Sequence, residues 1–174
     1  ENDNDIPETG AVFTFGQSKF SNNVPGKFWV RNDEVVDVAC GEEHTVLVAA
    51  SGRVFTFGSN TWGQLGLCHN NNQDKPSCIK ALKTQGESCH LVACGRNHTL
   101  LATQSGRVYG FGCNSDNQVS PDNCESFNSP TLVDELDQHD WLQLAAGSDF
   151  SVALSRTGEL YTWGNNDEGQ LGLP

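Results

Sequence analysis

The feature that most constrains this chain is a set of short motifs that return in a single register. Four segments align: Gly10-Ala-Val-Phe-Thr-Phe-Gly16, Gly52-Arg-Val-Phe-Thr-Phe-Gly58, Gly106-Arg-Val-Tyr-Gly-Phe-Gly112 and Gly158-Glu-Leu-Tyr-Thr-Trp-Gly164. Their starts lie 42, 54 and 52 residues apart. A second series precedes the last three: Val38-Ala-Cys-Gly41-Glu-Glu-His44-Thr, Val92-Ala-Cys-Gly95-Arg-Asn-His98-Thr and Leu144-Ala-Ala-Gly147-Ser-Asp-Phe150-Ser. A third follows: Asn60-Thr-Trp-Gly-Gln-Leu-Gly66, Asn114-Ser-Asp-Asn-Gln-Val-Ser120 and Asn166-Asp-Glu-Gly-Gln-Leu-Gly172. Self-similarity at a fixed period marks a repeat architecture, in which a unit buries its apolar face only by stacking on its neighbours.

Each unit reads as β structure. Residues 35–40 and 45–50 are short apolar or β-branched runs separated by Gly-polar-polar, which predicts a hairpin. Ser51-Gly52 then turns the chain into a third strand over 54–57. There the aromatics fall two apart, as Phe13/Phe15, Phe55/Phe57, Tyr109/Phe111 and Tyr161/Trp163, so each pair shares one sheet face. A fourth, weaker strand is expected near 78–82, after Pro76, and near 131–133, after Pro130. Three or four strands in about 50 residues make a propeller blade.

The Gly-Gln-Leu-Gly turn is read as the loop leading to the next blade. Gly63 and Gly169 suit a left-handed backbone position, and Asn117, the next most tolerant type, replaces them in the middle copy. Gln64, Gln118 and Gln170 are assigned to satisfying backbone groups of that loop. The predicted class is therefore all-β, an incomplete propeller of about three blades plus one terminal strand segment. An acidic tail occupies 1–9 and the partial propeller 10–174, in units near 10–34, 35–88, 89–140 and 141–174. Three repeats are fewer than the four to eight blades of a closed ring. The chain is expected to be the N-terminal part of a longer propeller, its first strand sharing a blade with a segment further along. Alone, it would expose sheet edges and self-associate.

Charge narrows the partners. Ten Lys+Arg against 22 Asp+Glu leave −12, which disfavours the cationic phosphate contacts that dominate nucleic-acid binding. No apolar run is long enough for a membrane helix, so direct membrane insertion is not expected. Seven cysteines, an odd number, read as reduced intracellular thiols rather than a secreted disulfide framework. The sequon Asn97-His98-Thr99 falls in a repeated structural slot and carries little weight.

The candidate chemistry can be weighed across the copies. Cys89, Cys94 and His98 have loose zinc-ligand spacing, but their slots hold Val35, Cys40 and His44 in one copy and Trp141, Ala146 and Phe150 in another. Those are an apolar slot, a small slot and a ring slot, and regular alternation would put Cys89 and Cys94 on opposite strand faces. Phe150 also shows that imidazole chemistry is not required of the unit. His44 and His98 are therefore read as partly buried rings bonded to loop backbone. No phosphate loop, dinucleotide fingerprint or nucleophile elbow occurs. No catalytic, metal or cofactor site is assigned. The singled-out residues, Gly41, His44, Gly95, His98, Gly147, Gly58, Gly112, Gly164, Gln64, Gln118 and Gln170, are given structural roles. Phe20, Phe28 and Trp29 lie in a non-repeating insert, read as packing at the ring seam.

The pattern Val-Ala-Cys-Gly-x-x-His-Thr, Gly-Arg-Val-Phe-Thr-Phe-Gly, Asn-x-x-Gly-Gln-Leu-Gly-Leu resembles the repeat of the regulator of chromosome condensation family, whose ring has seven blades. Residues 25–29 (Pro-Gly-Lys-Phe-Trp) and 75–83 (Lys-Pro-Ser-Cys-Ile-Lys-Ala-Leu-Lys) are similar to the family's ciliary small-GTPase-regulator type. That resemblance implies a protein–protein interaction scaffold in the cytoplasm, at the cilium or basal body. The implied partners are ciliary scaffold proteins, the prenyl-binding delta subunit of a phosphodiesterase and a small GTPase. The alternative that it implies is a guanine-nucleotide exchange factor. A light-sensing role would need clustered tryptophans, and the four here are scattered.

Overall fold

The computed structural model describes residues 10–14, 26–136 and 138–173. Thirteen strands and one short helix follow in order: β1 (Ala11–Thr14), β2 (Gly26–Trp29), β3 (Val35–Cys40), β4 (His44–Ala49), β5 (Val54–Gly58), β6 (Gln73–Cys78), α1 (Lys80–Thr84), β7 (Cys89–Cys94), β8 (His98–Thr103), β9 (Val108–Cys113), β10 (Ser126–Leu132), β11 (Trp141–Ala146), β12 (Phe150–Ser155) and β13 (Leu160–Gly164). They form antiparallel sheets in the orders β1-β2, β3-β4-β5-β6, β7-β8-β9-β10 and β11-β12-β13. Two complete blades thus stand between a two-stranded and a three-stranded sheet. The first strands of the three larger sheets, β3, β7 and β11, lie side by side and line the inner side of the arc, leaving β6 and β10 as outer edges.

The core is the space between successive sheets, as the alternation of strand side chains requires. Val46, Val48, Val54, Ile79 and Leu82 of one blade meet Val92, Leu101, Tyr109 and Phe111 of the next. A second core sets Ala93, Leu100, Ala102 and Val108 against Trp141, Leu144 and Ala153. Both rings of the Tyr109/Phe111 pair enter the first core, and both rings of Tyr161/Trp163 pack on the second.

Four differences from the sequence reading have physical causes. The fourth strands begin earlier than expected and contain Pro76 and Pro130; both are outer-edge strands, where a missing N–H breaks no ladder. Residues 80–82, expected to be strand, belong to α1, whose one buried residue, Leu82, packs into the first core. Part of the presumed insert is a strand, β2, pairing β1 in the register Val12↔Phe28, and Phe28 meets Phe57 edge to face at 5.8 Å. Phe15, Phe20 and Gly16 lie outside the described residues.

The fourth difference concerns face alternation. A β-bulge interrupts the first strand of each larger sheet, between Val35 and Asp37, between Cys89 and Leu91, and between Trp141 and Gln143. The extra residue shifts the alternation by one. Cys89 and Cys94 therefore pack against the same core rather than on opposite faces.

Candidate functional site: the imidazole–hydroxyl seams

The singled-out residues converge where one blade meets the next, at the end of the arc carrying the β3–β4 type turns and the β5–β6 type loops. The loop after β5 corrects one expectation. It does not lead to the next blade but returns to β6 of its own blade, while its side rests on the neighbour. A Cβ on Gly63 would fall 2.5 Å from the Cα of Asn128 in β10. The backbone there is left-handed in all three copies, with φ of 79° at Gly63, 58° at Asn117 and 74° at Gly169.

Inside each loop the hydrogen bonding is the same. The glutamine Oε1 accepts the N–H two residues earlier, from Trp62 to Gln64, Asp116 to Gln118 and Glu168 to Gln170, each at 2.9 Å. The leading asparagine Oδ1 accepts from Leu65 (3.0 Å), Val119 (2.9 Å) and Leu171 (3.0 Å). Asn60 and Asn114 also donate through Nδ2 to the returning limb, at His69 and Asn71 and at Asp122 and Cys124. These asparagines carry as much of the loop as the glutamines, and their recurrence at the head of the third motif was the sequence signal for them.

The histidines join blades. His44 Nε2 lies 2.9 Å from the Thr99 hydroxyl of the next blade, and that hydroxyl donates to the Gln64 carbonyl at 2.9 Å. One step along, His98 Nε2 lies 2.9 Å from Ser151 Oγ, which donates to the Gln118 carbonyl at 2.7 Å. A hydroxyl has one proton, and a carbonyl can only accept. The proton therefore goes to the glutamine carbonyl, and each imidazole must be the Nε2–H tautomer donating to the hydroxyl oxygen. Nδ1 is left as an unpartnered buried acceptor in both rings.

The rings are 3% and 0% exposed, more deeply buried than expected, and their partner is a side-chain hydroxyl rather than loop backbone. Burial lowers the pKa of each to about 4, with the neighbouring Asp149 opposing and His44 reinforcing the shift at His98. Each ring packs against its turn glycine, Gly41 or Gly95, and Phe150 does the same at Gly147. A Cβ on Gly95 would collide with the His98 ring and approach the Gly147 carbonyl to 2.6 Å. Gly58, Gly112 and Gly164 close the strands opposite, with φ between 105° and 111°.

At the other end of the blades lies a second repeated pairing that the sequence reading missed. Asp33 Oδ2 accepts from both Nε (3.0 Å) and Nη2 (2.9 Å) of Arg53 and from the Ser51 hydroxyl. Glu87 accepts from Arg107 (2.7 Å), Ser105 (2.7 Å) and Tyr109 (3.2 Å). Burial alone would raise both carboxyl pKa values, but these donors outweigh it and hold both below the usual carboxylate range. In the third copy the residue types change: His139 occupies the acid slot, its Nδ1 3.4 Å from the Glu159 carboxylate in the arginine slot. The alternating letters hid the pairing because its partners lie about 20 residues apart.

What varies is the loop tips: Thr61-Trp62, Ser115-Asp116 and Asp167-Glu168. Trp62 is 38% exposed. Among the described residues no group of three or more His, Cys, Asp and Glu side chains is placed to hold a metal ion. No helix among them is long and apolar enough to cross a membrane.

A constant frame of seams holding dissimilar tips defines a partial β-propeller of repeat type. The Regulator of chromosome condensation (RCC1) repeat matches residues 51–102 and 105–154, and a second description of the same repeat matches 35–64, 89–118 and 141–170. The chain belongs to that family. It is 47% identical over 169 residues to the X-linked retinitis pigmentosa GTPase regulator of Homo sapiens, covering 97% of this chain and 16% of that protein. The Mus musculus counterpart is 46% identical over 176 residues, covering 99% of this chain and 17% of that protein. The chain thus spans about a sixth of the length of these relatives. Among solved structures, yeast RCC1 (Prp20), in its complex with Kap60, superposes with a TM-score of 0.77 at 23% identity, covering 95% of this chain and 42% of that one.

Proposed function

We propose that this chain is part of a protein-interaction platform of the ciliary small-GTPase-regulator type. The observation that carries the reading is the 47% identity to the X-linked retinitis pigmentosa GTPase regulator across 97% of the chain. The geometry supports it. Both seam imidazoles are closed to solvent and engaged with the next blade, so they brace the loops rather than meet a substrate. A rigid frame that fixes the spacing of dissimilar loop tips suits selection of protein partners. The partners that fit are ciliary scaffold proteins, a prenyl-binding phosphodiesterase delta subunit and a small GTPase.

The test uses the full-length protein containing this segment. Capture of ciliary scaffolds, with nucleotide release from candidate small GTPases staying at the uncatalysed rate, is the expected result. Acceleration of release well above background would replace the platform with the exchange-factor reading.

A further inference from the structure

The outer rim of the first complete blade differs in chemistry from the rest of this acidic chain. Three of the ten cationic residues, Lys75, Lys80 and Lys83, fall within residues 75–83. A cleft of about 380 Å³ opens there between the loop after β5 and the β6–α1 corner, and its lining includes Cys68, His69, Cys78 and Lys80. Cys78 also lines an adjoining cleft of about 290 Å³ that contains Arg53 and Lys83. Two thiols and the cationic Lys80 and Lys83 are thus gathered around one β-strand terminus, while Arg53 is paired with Asp33 and Glu87, at the far side of the second cleft, with Arg107. The charges of Arg53, Lys83 and Lys80 all bear on the Cys78 thiol, although its burial outweighs them and holds it protonated.

The two cysteines differ in access. Cys68 is exposed, whereas Cys78 is half-buried. Cys68 stands at a left-handed position, φ 63°, and its N–H donates 2.8 Å to the Asn128 carbonyl of the next blade. The neighbouring Asn70 accepts from Asn128 Nδ2 at 2.9 Å. Anything attached to Cys68 therefore sits at a junction between blades.

We propose that this cleft is a modification site for anionic low-molecular-weight disulfides of the glutathione type, with Cys68 as the attacking thiol and Lys80 as the carboxylate-binding group. The Cys68 thiolate attacks one sulfur of the disulfide. The reagent's S–S bond breaks, a mixed disulfide forms on Cys68, and the released glutathione thiolate takes up the proton that Cys68 lost. Exchange needs no other oxidant.

The test incubates the full-length protein containing this segment with glutathione disulfide, or with uncharged hydroxyethyl disulfide, and follows each of these cysteines by mass spectrometry of peptides. The internal references are the other exposed thiols, Cys40 and Cys124, the latter between Asp122 and Glu125. Cys68 is expected to react with the anionic reagent at least several-fold faster than Cys124. Lys80→Glu, at an exposed position, is expected to slow that reaction roughly fivefold while leaving the uncharged reagent unaffected. Equal labelling of Cys68 and Cys124, an equal effect of Lys80→Glu on both reagents, or a Cys68–Cys78 disulfide in place of the adduct would overturn the proposal.

Discussion

Replacing His98 by phenylalanine separates the two things the imidazole does, since Phe150 already occupies the same slot over its own glycine. In the folded chain His44 and His98 have pKa values near 4, against an unfolded value near 6.5. The unfolded state therefore binds more protons below pH 6.5, and stability falls as pH drops from there toward 4. It is level above that window. At pH 5 the linkage relation gives a loss of about 2 kcal/mol for each ring relative to pH 7.5, about 4 kcal/mol for both. Asp33 and Glu87, held below the ordinary range, stay ionised across this interval. Urea denaturation of the wild type and His98→Phe at pH 7.5 and pH 5 reads the difference. At pH 7.5 the variant should lose only the bond to Ser151, about 1 kcal/mol. Its further loss at pH 5 should be about 2 kcal/mol smaller than the wild type's, roughly 1 M urea in midpoint. An unchanged acid sensitivity in the variant would refute the assignment of His98 as a neutral, Nε2-donating bridge.

Thr99→Val keeps the shape of the seam but strands both the His44 Nε2–H and the Gln64 carbonyl, so a loss of about 2–3 kcal/mol is expected by urea denaturation. Gly95→Ala should prevent folding or cost several kcal/mol, judged by circular dichroism, whereas Gly86→Ala, with nothing within 4 Å of the new methyl, should cost only the left-handed backbone penalty of about 1 kcal/mol. Asn117→Gly should be neutral to slightly stabilising, by up to about 1 kcal/mol in thermal unfolding, because φ is 58° there. Glu87→Gln should lower stability at pH 7 but narrow the gap to wild type as pH falls through the depressed carboxyl pKa, since the wild type loses its charge-assisted bonds there.

The parts of the fold that were legible were those written in short-range periodicity. Paired aromatics at 55/57 and 109/111 and the Gly-polar-polar turns mark β3–β5 and β7–β9 because alternation and turn chemistry act over a few residues. The bulges after Val35, Cys89 and Trp141 leave no such mark, so the face assignment of Cys89 failed there. Helix α1 failed for another reason: five residues are too few to show a helical period, and packing of Leu82 decides the conformation. The glutamines and the left-handed Asn117 were readable because loop demands are local. Thr99 and Ser151 were not singled out, although each follows a recognised slot, because their partners belong to another blade.

The loops after β5 and β9 are each folded by their own sheet yet surrender their glutamine backbone carbonyl to a hydroxyl of the sheet that follows. The dependency runs one way around the arc. Loss of that hydroxyl strands the carbonyl and the imidazole of the repeat before it, so damage should travel against the chain direction and give the arc a preferred sense of unravelling.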